Sequence, residues 1–260
     1  MAQLALEGCV IRYDDSGGDG RAVLFTHGAG ADRTMFRAQH AHLAALGYRV
    51  VSWDQRGHGE SLGELPYTAT RGLADLDALV EKLELEHPVL IGQSLGGNLS
   101  QAAVRARPTA YSALVVMDSA WNAAPLSSLD RALLAIATPT LRAIPWRWLP
   151  GIMANASAQT ADARAALQAT FEKLGKRRFL DAWQATVDLL EPMPGYRTPV
   201  PLCLIRGSED RTGTIATLMP RWASAEGIDE VVVAGAGHMV TMDRPAAVSE
   251  ALAQFLATQR

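Results

Sequence analysis

The stretch PVLIGQSLGG, residues 88–97, decides the fold. Its first five residues, Pro88–Gly92, form a short apolar run bounded by proline and glycine, the pattern of a strand buried on both faces. Leu95–Arg107 follows with helical spacing and stops at Pro108, whose ring cannot continue a helix. Ser94 stands at the junction, inside Gly92-Gln93-Ser94-Leu95-Gly96. A serine there points its hydroxyl out of a sharp turn. Glycines at 92 and 96 remove side chains that would collide with the neighbouring strand and helix. The turn also leaves the Leu95 N–H free at a helix N-terminus, where developing negative charge is stabilised. A bare G-x-S-x-G match is common by chance; a strand before it and a helix after it make it specific. The bland alternative is a serine in an ordinary strand-to-helix turn.

The same rhythm extends in both directions. The first 15 residues read as a short strand pair, with Cys9–Tyr13 strand-like and Ser16–Gly20 a tight turn. Ala22–Thr26 is a buried strand, followed by His27-Gly28-Ala29-Gly30, a helix over Met35–Leu46 stopped by Gly47, and a strand over Tyr48–Asp54. Ala69–Glu86 is a helix with Leu73, Leu76, Leu79, Val80 and Leu83 on one side. Ala113–Asp118, Pro201–Arg206 and Glu230–Ala234 are further strands, with helices near Ala216–Ala225 and Ala246–Thr258. Apolar strands alternating with helices define an α/β fold, a mostly parallel sheet with helices on both faces. Residues 121–195 break the rhythm. They show no strand and hold six of the 13 prolines and four of the six tryptophans. Helical patterns at Leu129–Ala137 and Asp162–Leu174 lie between proline breaks, so the segment reads as a helical insertion, because a structureless loop of that length would be improbable.

Composition excludes several classes. The chain has 260 residues, 24 Lys+Arg against 27 Asp+Glu, and a net charge of −3. That balance argues against nucleic acid or an anionic membrane as partner. The basic run Lys176-Arg177-Arg178 reads as a solvated helix face. No apolar run approaches the length of a membrane helix, and Met1–Asp15 lacks the basic and apolar regions of a signal peptide. Cys9 and Cys203 give neither a disulfide framework nor a metal set. The expectation is a cytoplasmic protein acting on a small-molecule substrate. The sequence leaves oligomeric state open, and a homodimer is allowed.

A serine nucleophile needs a base, and the base needs an orienting carboxylate. Arg206-Gly207-Ser208-Glu209-Asp210 follows one strand and Gly235-Ala236-Gly237-His238 the next. Ser94, Asp210 and His238 thus all fall at strand C-termini, where open α/β sheets bind ligands, in the chain order Ser, Asp, His. Asp210 is the favoured acid; Glu209 beside it and Asp118 at the end of the preceding strand stay open as alternatives. Of the other histidines, His40 and His42 lie on a helix and His87 precedes a strand, which marks them as surface or structural. Asp243 reads as a helix-start or loop residue. No metal motif, phosphate-binding loop or dinucleotide fingerprint is present; Arg33 stands where the third glycine of the last would be. No cofactor is expected.

His27-Gly28, Asp54-Gln55-Arg56-Gly57-His58-Gly59-Glu60-Ser61, Gly92-Gln93-Ser94-Leu95-Gly96 and Gly237-His238 together resemble the α/β-hydrolase superfamily over essentially the whole chain. The resemblance implies an eight-stranded sheet domain from residues 1–120 and 196–260, capped by a helical segment, 121–195. It implies the triad Ser94, Asp210, His238, and an oxyanion hole from the backbone N–H groups of Ala29 and Leu95. It implies that His27 and His58 shape loops, and that Asp54 and Arg56 pair to hold them. The implied strand order also sets Cys9 and Cys203 too far apart for a bridge. Gly28, Met239 and the tryptophans Trp121, Trp146, Trp148 and Trp183 are candidates to line the substrate pocket, although tryptophans also pack helices onto sheets without any ligand. The expected activity is hydrolysis of a small or medium apolar carboxylic ester, thioester or lactone through an acyl-enzyme. Ser94 argues against the related dehalogenases and epoxide hydrolases, whose nucleophile is aspartate. Two alternatives remain: a C–C bond hydrolase of ring-cleavage products, whose motif usually carries asparagine where Gln93 stands, and a non-catalytic small-molecule sensor on the same scaffold.

Overall fold

The computed structural model describes residues 2–259, with the side chains of all but Leu62, Ser128, Leu129, Asp130, Arg131 and Leu133. The strands are β1 (Ala2–Leu6), β2 (Cys9–Asp15), β3 (Ala22–Thr26), β4 (Arg49–Trp53), β5 (Leu62–Gly63), β6 (Val89–Gln93), β7 (Ala113–Met117), β8 (Leu202–Gly207) and β9 (Val231–Val233). Eight lie side by side in the order β1-β2-β4-β3-β6-β7-β8-β9, and the two-residue β5 pairs with β2. The β1–β2 and β2–β4 pairings are antiparallel. From β4 to β9 every pairing is parallel. The helices are α1 (Arg37–Ala45), α2 (Ala69–Lys82), α3 (Leu95–Ala106), α4 (Ser128–Ala143), α5 (Leu149–Ser157), α6 (Ala161–Leu174), α7 (Lys176–Asp188), α8 (Ile215–Glu226), α9 (Val240–Asp243) and α10 (Pro245–Thr258).

Every residue of β3, β6 and β7 is buried, as expected for parallel strands covered on both faces. Their side chains alternate between two cores with the period of a strand. Val23, Phe25, Val89, Ile91, Val115 and Met117 join the layer of α1 and α10. Leu24, Leu90, Leu114 and Val116 join that of α2, α3 and α8. Helix starts are capped locally: the Thr68 side chain accepts the N–H of Arg71 at α2, and Thr160 accepts that of Ala163 at α6. Because β3 neighbours both β4 and β6, the chain reverses direction across the sheet between β3 and β6. The loops after these two strands therefore face a crevice, where sheets of this kind place their ligands.

Between β7 and β8 the chain runs through α4, α5, α6 and α7. Two of these helices coincide with the helical patterns of the sequence; α5 and α7 do not. Helix α4 continues through Pro139, where a break is expected. A proline inside a helix forfeits one backbone hydrogen bond, and here the neighbouring Thr138 hydroxyl ties the helix to Gln184 of α7. Lys176 adds two bonds from its ammonium group to the carbonyls of Arg142 and Ile144 at the end of α4. Strand β9 pairs over three residues only, fewer than the five expected, since it lies at the edge of the sheet with one side unpaired.

The implied Asp54–Arg56 pair is not formed. Asp54, fully buried, accepts bonds from the backbone N–H and the guanidinium of Arg33 and from the Glu60 N–H. Arg33 also reaches Asp14 and Glu60. Arg56 turns the other way and forms a two-pronged pair with Asp75 of α2. Both partners of that pair are almost wholly buried, so each needs the other's charge. Cys9 on β2 and Cys203 on β8 lie five strand positions apart, roughly 24 Å at the usual strand spacing. Burial pushes the Cys9 thiol up to about 11 and that of Cys203 to about 12, so neither is reactive near neutral pH. No helix of the described residues is long and apolar enough to cross a membrane.

Candidate active site

From Pro88 to Val104 every residue is buried except Ser94. It sits between β6 and α3 with φ 52° and ψ −120°, a conformation non-glycine residues rarely adopt. The neighbouring chain enforces it. A Cβ on Gly92 would strike the Gly96 carbonyl, and one on Gly96 would strike the carbonyls of Thr26 and His27. The Ser94 N–H donates to Met117 at 3.0 Å, and the Ser119 hydroxyl donates to the Ser94 carbonyl at 2.8 Å. Ser94 thus engages its neighbours through backbone atoms, and its hydroxyl stays free.

The β3 loop packs directly on this turn. A Cβ on Gly28 would lie 3.1 Å from the Ser94 Cβ. That contact sets the Gly28–Ala29 segment beside the Ser94 turn, and among the described residues the Ala29 and Leu95 N–H groups find no acceptor. His27 braces the loop: its Nε2 accepts the Gln55 N–H at 2.9 Å, so Nδ1 carries the proton and donates to the Gly28 carbonyl at 2.8 Å. Its ring lies 5.1 Å from that of His58, which rests edge-on against Tyr67.

Asp210 and His238 meet. Nδ1 of His238 lies 3.0 Å from Asp210 Oδ2, and Asp210 Oδ1 accepts the Thr212 N–H at 2.8 Å. Burial opposes the charge of Asp210, but the imidazole beside it and these hydrogen bonds outweigh burial and hold the carboxyl below its usual range. Glu209 turns outward to Arg211. Asp118 is fully buried at the end of β7, where its Oδ1 accepts the Gly207 N–H at 2.8 Å.

Three residues that sequence reasoning did not single out for the site hold this arrangement. Gln93, buried beside Ser94, donates from its amide to the His238 carbonyl at 2.8 Å and so links the Ser94 turn to the histidine loop. Asp243 accepts four donors: the N–H groups of Gln159 and Thr160, the Thr160 hydroxyl, and the Gly237 N–H. With the Met239 N–H on the Ser157 carbonyl, it fastens the α5–α6 turn to the histidine loop. Phe171 of α6 lies over Gly30 so closely that no side chain would fit there. Only Gln93, adjacent to Ser94, carried a sequence signal.

The candidate lining residues separate. Trp146 and Trp183 gather with Phe179, at 6.3 and 6.4 Å between rings, and Met239 is buried in the same core. Trp183 also lines a cavity of about 440 Å³ with Met153, Ser157, Glu209 and Thr212, next to the Asp210 loop. Trp121 instead stacks on Trp222 of α8, in the other core. Trp148 is 55% exposed, with the Arg147 guanidinium over its ring. Each of these two rings thus has a packing partner outside the group of Trp146, Phe179 and Trp183. Among the described residues no three His, Cys, Asp or Glu side chains gather around a point where a metal ion could sit.

Burial, with His27 alongside, pushes the His58 imidazole down to about 3. It stays neutral in the fold while its unfolded counterpart takes up a proton. The stability this conserves is complete above 6.5 and is lost as pH falls from 6.5 toward 3. At pH 5 the loss from this residue is about 2 kcal/mol. Denaturant unfolding at pH 7 and pH 5 is therefore expected to show a smaller drop for His58→Phe than for the parent chain. Equal drops would disprove the assignment.

A model of the family described as alpha/beta hydrolase matches residues 23–251. A putative non-heme bromoperoxidase of Mycobacterium tuberculosis is 31% identical over 122 residues, 47% of this chain and 44% of that protein. This chain thus matches less than half the length of that relative. An sn-1-specific diacylglycerol lipase of Mus musculus is 27% identical over 254 residues, 91% of this chain and 81% of that one. A thermophilic esterase from Thermogutta terrifontis superposes with a TM-score of 0.79 at 23% identity, covering 96% of this chain and 94% of its own. An enol-lactonase from Burkholderia xenovorans gives 0.80 at 20% identity, covering 98% and 100%. At those identities the two structures speak for the fold. With the family match running from β3 into α10, through the Ser94 turn and the Asp210 and His238 loops, the chain belongs to the alpha/beta hydrolase family.

Proposed function

We propose that the chain is a serine hydrolase of small or medium apolar carboxylic esters, with thioesters and lactones as the nearest chemical relatives. The observation that carries this reading is the His238–Asp210 hydrogen bond, formed at the strand ends that also present the free hydroxyl of Ser94. Ser94 Oγ attacks the ester carbonyl while His238 Nε2 takes its proton. Asp210 holds the imidazole and stabilises its charged form. The tetrahedral oxyanion is met by the N–H groups of Ala29 and Leu95, each worth about 3–4 kcal/mol in such sites. Collapse expels the alcohol, which leaves with the proton held by His238. Water, deprotonated by the same imidazole, then frees the acid from Ser94.

The apolar side chains around the site support an uncharged acyl group. Phe171 sits over Gly30, and Phe179 packs against it with rings 5.2 Å apart. The C–C hydrolase alternative draws less support, because the Gln93 amide nitrogen is already engaged by the His238 carbonyl. The test is a fluorophosphonate probe followed by mass spectrometry, with a panel of p-nitrophenyl esters of rising chain length. A single adduct on Ser94 and turnover of the shorter esters are expected. The absence of both an adduct on Ser94 and ester turnover would overturn the proposal and favour the sensor alternative.

A further inference from the structure

We infer that Asp118 is a neutral carboxyl that donates a hydrogen bond to Asp210, and so positions the acid that holds His238. This rests on the triad proposed above, but its decisive measurement does not use activity. Both residues are anchored on Gly207: the Asp118 carboxyl through Oδ1, which accepts the Gly207 N–H at 2.8 Å, and Asp210 through its backbone N–H, which donates to the Gly207 carbonyl at 3.2 Å. Asp118 is wholly buried and Asp210 only 2% exposed. The second oxygen of Asp118 is buried and accepts from no N–H or O–H group of the described residues, and Asp210, held on the same Gly207 backbone, is the neighbour whose charge acts on it most strongly. Two carboxylate ions buried so close together would repel strongly, and a buried acceptor without a donor is itself costly. One proton on Asp118 removes both problems. Asp118 also has φ 41°, so the backbone at the end of β7 is bent out of its ordinary range to face the Asp210 loop.

The charges around the pair agree. Burial first, and then the charge of Asp210, push the Asp118 carboxyl well above its usual value. The other ionised group near it is Arg206 on β8, and that guanidinium is occupied by Glu230 at 2.9 Å. His238 faces Asp210 from the other side. The proton is thereby kept on Asp118, the group without the imidazole, and Asp210 stays the ion. Two carboxyl groups in contact titrate as a pair with one proton between them, and here the surroundings decide which one keeps it.

Infrared difference spectroscopy of the full chain at neutral pH tests this. The carbonyl band of a neutral carboxylic acid is expected in the parent protein and absent from Asp118→Asn. The asparagine can still accept from Gly207 and donate to Asp210, so its kcat is expected to stay within about threefold. Asp118→Leu cannot donate, and its kcat is expected to fall about tenfold to a hundredfold with KM little changed, as for loss of a hydrogen bond to a charged group. An unchanged infrared band in Asp118→Asn would overturn the inference, whether or not the leucine variant folds. So would a loss of kcat in Asp118→Asn as deep as that in Asp118→Leu. A band lost in a protein with no ester turnover would uphold the neutral Asp118 and reject the hydrolase reading instead.

Discussion

Ser94→Ala is expected to lower turnover of a p-nitrophenyl ester by about 10⁴- to 10⁶-fold, the range seen when a serine nucleophile is removed from a triad. The fold should be untouched, for two reasons. The Ser94 hydroxyl makes no hydrogen bond that alanine would break, since the serine is held by its N–H and carbonyl. Alanine also meets the same backbone strain at φ 52° as serine, so no strain is added or relieved. Unfolding midpoints of the two proteins should coincide. Residual turnover would come from the Ala29 and Leu95 N–H groups acting on a bound ester attacked by water. Turnover of Ser94→Ala within tenfold of the parent would place the nucleophile elsewhere.

Asp210→Asn is expected to reduce kcat by about 10⁴-fold, because an amide facing Nδ1 favours the wrong tautomer of the base. Asp210 touches two groups that matter, the imidazole of His238 and the Thr212 N–H. Asparagine keeps the shape and can keep the Thr212 bond through its carbonyl, leaving its amide nitrogen toward His238, where a carboxylate oxygen stood. Kinetics of purified Asp210→Asn over a range of pH check this. A loss below tenfold would reassign the acid to Asp118.

The strand–helix rhythm and the Ser94 turn are legible in the sequence because both are local. Buried parallel strands are short apolar runs, and the tight turn needs glycine at 92 and 96, where the structure leaves no room for a Cβ. The contacts that tune the site are not local. Gln93 reaches His238 across 145 residues, and Asp243 reaches Gln159 across 84. No periodicity encodes such pairings. A buried polar residue in a loop announces only that it must find a partner, not which one. Asp54 and Arg56 illustrate this. They stand two positions apart and carry opposite charges, yet each is drawn to a partner on another element, Arg33 and Asp75. The tryptophans are ambiguous for the opposite reason: their size guarantees packing, and a flat ring is accepted by Trp222 or by Arg147 as readily as by a pocket.

The Asp243 carboxylate has a consequence for how this chain could change. It binds the backbone of the α5–α6 turn and of the histidine loop together. Backbone groups are present whatever the side chains are, so the α4–α7 segment is free to vary in sequence while that joint persists. A segment transplanted from another protein would fit only if it delivered two N–H groups to the same carboxylate at the same place. Asp243 is thus a coupling standard: it lets the α4–α7 segment diverge in sequence while the His238 loop keeps its position.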